Sequence, residues 1–265
     1  MPEPWSAFVI ETLDVASLWP PLAPAATLLN RERARPVKRR ESIENSLLAA
    51  IPREEYERLS ARLEPVTLTF GEILYEPGET IRHVYFPNIC LVSLLTLVDH
   101  HLALEVGMVG NEGMVGIPLA LGVGLSPFRA LVQGAGTAMR MKAAPFLKEL
   151  RQSLHLQNAL HRYTYTLMAQ VAQTAACNRF HVVPERLARW LLMTRDRVQS
   201  SDFQLTQEFL SHMLGVRRVG VTKAAGQLQK RNLIEYARGH IKIIDQHGLE
   251  AAACSCYQAA RNNPA

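Results

Sequence analysis

The spacing of apolar residues changes twice along the chain. From Ile43 to Leu63 it is helical, with Leu47, Leu48 and Ile51 on one face and, after Pro52, Tyr56, Leu59 and Leu63 on another. Two short helices are predicted, the second opened by Pro52, whose missing amide hydrogen would have had no intrahelical partner there. Between Val66 and Arg140 the pattern becomes that of strands: VTLTF, ILYE, VYF, LVSLLTLV, LALEVGMVG and ALVQ. Turn signals separate them at Pro77-Gly78, Pro87-Asn88, Asp99-His100-His101, Asn111-Glu112-Gly113 and Gly134-Ala135-Gly136. Many short strands at regular spacing predict an antiparallel barrel or sandwich.

After Ala143 helical spacing returns. Leu156, Leu160, Tyr163 and Leu167 recur at intervals of four, three and four, and Val171 and Thr174 carry the seam on to about Asn178. At ~1.5 Å per residue such a helix spans roughly 35 Å and outruns a small barrel. It either packs along its own barrel or pairs with the same helix of a second chain. The preferred expectation is a dimer interface made by these six residues. The segment VVPERLARWLLMTRDRV predicts a further helix, opened by Pro184 and burying Leu187, Trp190, Leu191 and Val198.

The stretch LTQEFLSHMLGVRRVGVTKAAGQLQKRNLI, Leu205 to Ile234, carries the most specific local signals. Thr206 is a good N-cap for a helix starting near Gln207, and Glu208 suits the positive end of its dipole. Phe209, Leu210, Met213 and Leu214 form the apolar face, Gly215 permits the left-handed helix end, and a second helix follows from about Arg218 to Lys230. Two helices joined by a short glycine turn form a helix-turn-helix, whose second helix enters the major groove of DNA. Arg217, Arg218, Val219, Thr222 and Lys223 fall on its start and exposed face, while Val221, Ala225 and Leu228 turn inward. An arginine there can donate two hydrogen bonds to guanine O6 and N7. Beyond Asn232, LIEYARGHIKIID reads as two strands around Arg238-Gly239, a wing whose Arg238, His240 and Lys242 either lie along the phosphate backbone or simply face solvent.

Charge supports this division. The 265-residue chain is 48% hydrophobic and 20% charged, has a net charge of +5, and is long enough for two domains with cores of their own. Residues 65–145 hold four Lys/Arg against six Asp/Glu, whereas residues 179–245 hold twelve against six. A basic excess confined to one end fits a nucleic-acid-binding module joined to something else. Residues 1–40, rich in proline and ending in RERARPVKRR, read as a poorly ordered tail. No apolar run approaches the ~18–20 residues of a membrane span and no signal-peptide pattern occurs, so a cytoplasmic protein is expected. The four cysteines, Cys90, Cys177, Cys254 and Cys256, do not make a disulfide framework. Cys254-x-Cys256 is a weak metal or redox signal and reads more simply as two small residues on a C-terminal segment. No paired carboxylates, nucleophile–histidine motif or phosphate-binding glycine loop points to an enzyme.

Over residues 43–245 the chain resembles the Crp/Fnr superfamily of bacterial transcription regulators. The resemblance rests on FGEILYEPGETIRHVYF, NEGMVGIPLALG, the long helix, and the helix-turn-helix with its wing. It implies an α+β fold: an N-terminal double-stranded β-helix (β-roll) of the cyclic-nucleotide-binding type at 41–150, a dimerisation helix at 151–178 and a winged helix-turn-helix at 179–250, with a C-terminal tail at 251–265. It also implies double-stranded DNA, a second copy of the chain and RNA polymerase as partners. DNA contacts would come from Thr206, Gln207, Arg217, Arg218, Val219, Thr222, Lys223, Arg238 and Lys242.

Two departures from the family pattern stand out. Family recognition helices commonly carry Arg-Glu followed by a second Arg; here Arg218 keeps the first, Val219 replaces the glutamate and Lys223 takes the later basic position. Losing that acceptor for cytosine N4 implies a different operator. Cyclic-nucleotide pockets in the family use a Gly-Glu pair and an Arg-Ser or Arg-Thr pair. The corresponding candidates here are Gly113, Gly116, Ile117, Arg129 and Ala130, in which the carboxylate is absent and Ala130 follows the arginine, so cyclic AMP or GMP is not the expected effector. The N-terminal cysteines that hold an iron–sulfur cluster in oxygen-sensing relatives are missing from residues 1–89, and His83, His100, His101, His155 and His161 are too scattered to suggest haem. No cofactor or metal is expected. The alternative to a DNA-binding regulator is a non-catalytic ligand- or protein-binding module whose winged helix contacts a partner protein.

Overall fold

The structure is a computed structural model that describes residues 43–98 and 102–261. The expected tail at 1–40 and the Asp99-His100-His101 turn lie outside the described residues. Helices α1 (Ser46–Ala49) and α2 (Arg53–Ser60) come first, as the apolar spacing predicts. Asn45 fixes their position: its Oδ1 accepts from Leu48 N at 3.1 Å, and its Nδ2 donates to the carbonyls of Pro87 and Gly113 at 2.8 and 2.9 Å.

Seven strands follow: β1 (Glu64–Leu68), β2 (Ile73–Tyr75), β3 (His83–Pro87), β4 (Leu91–Val98), β5 (Leu102–Val109), β6 (Arg129–Gly134) and β7 (Gly136–Lys142). They pair antiparallel in two sheets, ordered β1-β7-β3 and β2-β6-β4-β5, around a core that includes Leu68, Val84, Phe86, Val92, Val109, Val132 and Met141. Helix α3 (Ala143–Gln152) leads into α4 (Leu154–Phe180), 27 residues long and about 40 Å from end to end. Ser153 caps α4 by accepting from Leu156 N at 2.9 Å.

Leu156, Leu160, Tyr163 and Leu167 all point into the core of the chain's own roll. This corrects the expectation that they form a dimer seam, because side chains already buried within one chain cannot reach a second. Val171 is half-buried, and Thr174 Oγ1 accepts from Arg189 Nη2 at 3.2 Å, so neither heads an open face. Gly113 shows how closely α4 approaches: a Cβ there would lie 2.1 Å from the Tyr163 ring.

The C-terminal part holds α5 (Val183–Val198), β8 (Asp202–Gln204), α6 (Gln207–Leu214), α7 (Arg218–Lys230), β9 (Ile234–Ala237), β10 (His240–Ile243), α8 (Gln246–Ala252) and α9 (Cys256–Arg261). Its three strands form an antiparallel sheet ordered β8-β10-β9. The segment expected to be a C-terminal tail instead folds back and buries Cys254, Cys256 and Tyr257, whose hydroxyl donates to Asp196 at 2.8 Å. No helix of the described residues is long and apolar enough to cross a membrane.

Strand β4 joins the two parts. Leu91 to Leu95 are buried without a break because both faces of the strand are covered. Val92 and Leu94 enter the roll core, whereas Leu91 and Leu95, with Met108 of β5, join a second core with Leu187, Trp190, Leu191, Leu210 and Val221. Ser93 lies between Leu91 and Leu95 and anchors a buried polar chain. Its Oγ is 2.6 Å from both Glu105 Oε2 and Gln133 Oε1, Glu105 Oε1 accepts from Trp190 Nε1 at 2.9 Å, and Gln133 Nε2 donates to Thr194 Oγ1 at 3.0 Å.

A hydroxyl has one hydrogen, so Ser93 cannot donate to both neighbours. A protonated Glu105 resolves this: its carboxyl donates to Ser93, which donates to Gln133. Burial, opposed by the hydrogen bonds from Ser93 and Trp190 and by the charges of Arg189 and Arg197, pushes this carboxyl from 4.5 up to about 7. Because the folded value lies above the unfolded one, the contribution is complete below about pH 4.5 and is lost as pH rises through about 7. Its size is at most ~3 kcal/mol. The parent chain's thermal midpoint should therefore fall between pH 5 and 8, and Glu105→Gln, neutral at every pH, should flatten that fall. Parallel melts across that range check it; identical slopes would exclude a protonated Glu105.

Candidate nucleic-acid interface

Thr206 caps α6 as the sequence predicts, its hydroxyl accepting from Phe209 N at 3.1 Å. Gly215 ends the helix in the left-handed region, φ 60°. There is a further reason for glycine at this position, since a Cβ would meet Leu104 Cδ1 of β5 at 2.6 Å. Leu210, Met213 and Leu214 are buried and Phe209 half-buried, stacked obliquely on Phe70 of the roll with ring centres 5.4 Å apart. The tip of the helix-turn-helix is thus held against the chain's own roll.

Helix α7 turns Val221, Ala224, Ala225 and Leu228 inward. Arg217, Arg218, Val219, Thr222 and Lys223 are all exposed. Arg217 is the N-cap, in extended conformation, and Arg218 the first helical residue, so both guanidinium groups stand at the open end of the helix. Gln207 links the two helices: its Oε1 accepts from Thr222 Oγ1 at 2.8 Å, and Arg218 Nε lies 3.5 Å from the same oxygen. That second contact is at the limit of a hydrogen bond and leaves the arginine free to turn outward.

The wing hairpin places Arg238 and Gly239 at its tip, with φ of 51° and 79°. Lys242 is exposed on β10, and His240 Nε2 lies 2.8 Å from Asp202 across the sheet. Thr206, Gln207, Arg218, Tyr236, Arg238 and Gly239 line one open hollow of about 380 Å³ between the start of α6, the start of α7 and the wing. Tyr236 is an addition to the residues expected from the sequence; its hydroxyl donates to Leu205 O at 3.0 Å and fixes the wing beside the Thr206 cap. Its position on a short strand among polar neighbours carries no signal of that role. None of Arg217, Arg218, Lys223, Arg238 and Lys242 forms an ion pair with a described residue. Exposed cations on the start of α7 and on the wing attract anions.

The residues considered for an effector do not converge on an open pocket. Ile117 and Ala130 are buried in the roll, and the Arg129 guanidinium is engaged by Glu76 at 2.9 Å. Gly116 and Ile117 border a cavity of only about 20 Å³, closed off by Tyr75, Leu94, Met114 and Phe128. That volume suits a single water molecule, whereas small-molecule pockets run to roughly 300–1,000 Å³.

Comparison with known proteins places this geometry in context. Residues 185–252 match the family model for the Crp-like helix-turn-helix domain. A Eubacterium rectale chain assigned to the Crp/Fnr family superposes with a TM-score of 0.63 at 15% identity, covering 78% of this chain and 96% of that one. FixK2 of Bradyrhizobium japonicum gives 0.61 at 14% identity over 73% and 98% of the two chains. A CRP-family transcriptional regulator from Thermus thermophilus gives 0.59 at 19% identity over 71% and 96%. No curated protein sequence matches the chain.

The cap at Thr206 holds the start of α6 and one wall of the hollow. Thr206→Ala should lower unfolding free energy by ~1 kcal/mol through loss of the bond to Phe209 N. Urea denaturation would show a lower midpoint with an unchanged slope.

Proposed function

We propose that the chain, whose residues 185–252 match the Crp-like helix-turn-helix domain and whose fold is shared with Crp/Fnr structures, is a homodimeric, sequence-specific DNA-binding transcription regulator of that type. The observation that carries the reading is the set of exposed cations on α7 and the wing, none in an ion pair with a described residue, of which Arg218 and Arg238 line one hollow with Thr206 and Gln207. Arg217, Arg218 and Lys223 enter the major groove with Thr222, and Arg218 reads a guanine edge through two hydrogen bonds. Val219 offers an apolar contact, suited to a thymine methyl, where an acidic residue would accept from cytosine. Thr206 and Gln207 at the start of α6, with Arg238 and Lys242 on the wing, follow the phosphates.

Dimerisation runs through the face of α4 opposite the one the sequence suggests. Tyr165 and Met168 are each 66% exposed, and Ala172 and Ala175 continue the line at the spacing of a coiled-coil seam. Small residues in the second half let two such helices approach closely. Two recognition helices held this way read half-sites about one helical turn, ~34 Å, apart in an inverted repeat.

Fluorescence anisotropy with sites selected from random duplexes tests the reading. A selected site should bind at least ~10³-fold better than random DNA, with affinity falling steeply as salt rises. Equal affinity for both would overturn sequence-specific recognition, and a salt-insensitive interaction with a protein would favour the winged helix as a protein-docking module. Arg218→Ala should cost ~1–3 kcal/mol at the selected site and relax preference at one base position. In sedimentation velocity, Tyr165→Glu with Met168→Glu should give folded monomers; an intact dimer would move the interface elsewhere.

A further inference from the structure

Three cysteines and a histidine meet where the long helix ends. Cys177 lies in the last turn of α4 and His181 is its C-cap; Cys254 sits between α8 and α9, and Cys256 opens α9. The four ligand atoms all lie within 4.8 Å of one another, and the three thiols are buried in a cluster of their own. Cys177 Sγ is 3.5 Å from Cys254 Sγ, and Cys256 Sγ is 3.5 Å from His181 Nδ1. The two small residues on the C-terminal segment are therefore packed against the end of the long helix.

We propose that Cys177, His181, Cys254 and Cys256 bind a single tetrahedral divalent ion of the zinc class, which fastens the C-terminal segment to the end of α4. Bonds of ~2.3 Å to sulfur and ~2.0 Å to nitrogen at tetrahedral angles put neighbouring ligand atoms roughly 3.5–3.8 Å apart. The two 3.5 Å contacts already match those edges, and small rotations of the side chains would bring in the rest. An iron–sulfur cluster carries its cysteines on different irons and needs them further apart. A disulfide needs ~2.05 Å between sulfurs, and all four cysteines of the chain are free.

The surroundings suit a charged ion–thiolate group. Binding releases three thiol protons to solvent, and three thiolates with one neutral histidine around a divalent ion carry a net charge of −1. Arg186 and Arg189 are both buried beside the cluster, and the Nε of each lacks a hydrogen-bond partner among the described residues. Their charges compensate the excess negative charge. Gln173 Nε2 donates to Cys256 Sγ at 2.9 Å, a contact of the kind that orients a thiolate ligand from outside the coordination sphere. Coordination would close a loop around the whole winged helix, because Cys177 and Cys254 stand 77 positions apart on either side of it.

The full chain, purified under anaerobic conditions and demetallated, is titrated with Zn(II) and separately with Co(II). One equivalent of zinc per chain is expected, together with a tetrahedral cobalt spectrum that includes a sulfur-to-cobalt charge-transfer band. Cys254→Ser and His181→Gln should each reduce zinc retained after gel filtration from one equivalent to under about a tenth, while Cys90→Ala retains it. The cobalt spectrum of the unsubstituted chain keeps the test valid if a variant misfolds. A folded chain that binds neither ion overturns the proposal, as does zinc retained by a folded Cys254→Ser chain. Iron with acid-labile sulfide, or a Cys177–Cys254 disulfide in the anaerobic preparation, would do the same. These readouts are independent of DNA binding, so either conclusion can fail without the other.

Discussion

A carboxyl group removed from water between a sheet and a helix is the constraint on which the described structure turns. Glu105 is buried, and it is stable there because Ser93 and Trp190 satisfy both oxygens while Gln133 carries the chain of bonds on to Thr194. Each of these groups would be costly to bury alone. Together they fix which face of the roll meets α5, and the apolar pairs around them, Leu91 and Leu95 against Trp190 and Leu191, supply most of the burial. Hydrophobic contact alone permits sliding; five polar groups in sequence permit one register.

From that joint the remaining geometry follows. With α5 held on the outer face of β4, α6 is brought against β5, where Gly215 leaves room for Leu104, and Phe209 reaches Phe70. Helix α4 is then pressed along the roll with Tyr163 over Gly113, which turns Tyr165, Met168 and Phe180 toward solvent. The apolar side of α7 is committed to the second core, which leaves its basic residues exposed.

Much of this is legible in the sequence. The Thr206 cap, the apolar face of α6, Gly215 and the span of α7 follow from local chemistry that acts within a few residues, and the structure reproduces them at the predicted positions. The α4 interface is not legible, for a definite reason. Leu156, Leu160, Tyr163 and Leu167 share their heptad spacing with a second line through Tyr165, Met168 and Ala172. Periodicity identifies both stripes but does not say which one the roll covers. The Cys-x-Cys pair misleads on similar grounds, since its partners Cys177 and His181 lie more than seventy residues upstream and only the path of the chain unites them. Nor does the strand pattern of LVSLL indicate burial on both faces, which depends on α5 arriving from outside the roll.

Arg238 at the wing tip has a conformational cost. A side chain other than glycine in the left-handed region is disfavoured by roughly 1–2 kcal/mol. Gly239 beside it shows that the turn accepts glycine, so the backbone of this hairpin would be more relaxed with a second one. A charged residue held uphill at the tip of the wing represents stability given up for reach. On the proposed reading, an anion beneath the hairpin offsets part of that cost and quietens the wing.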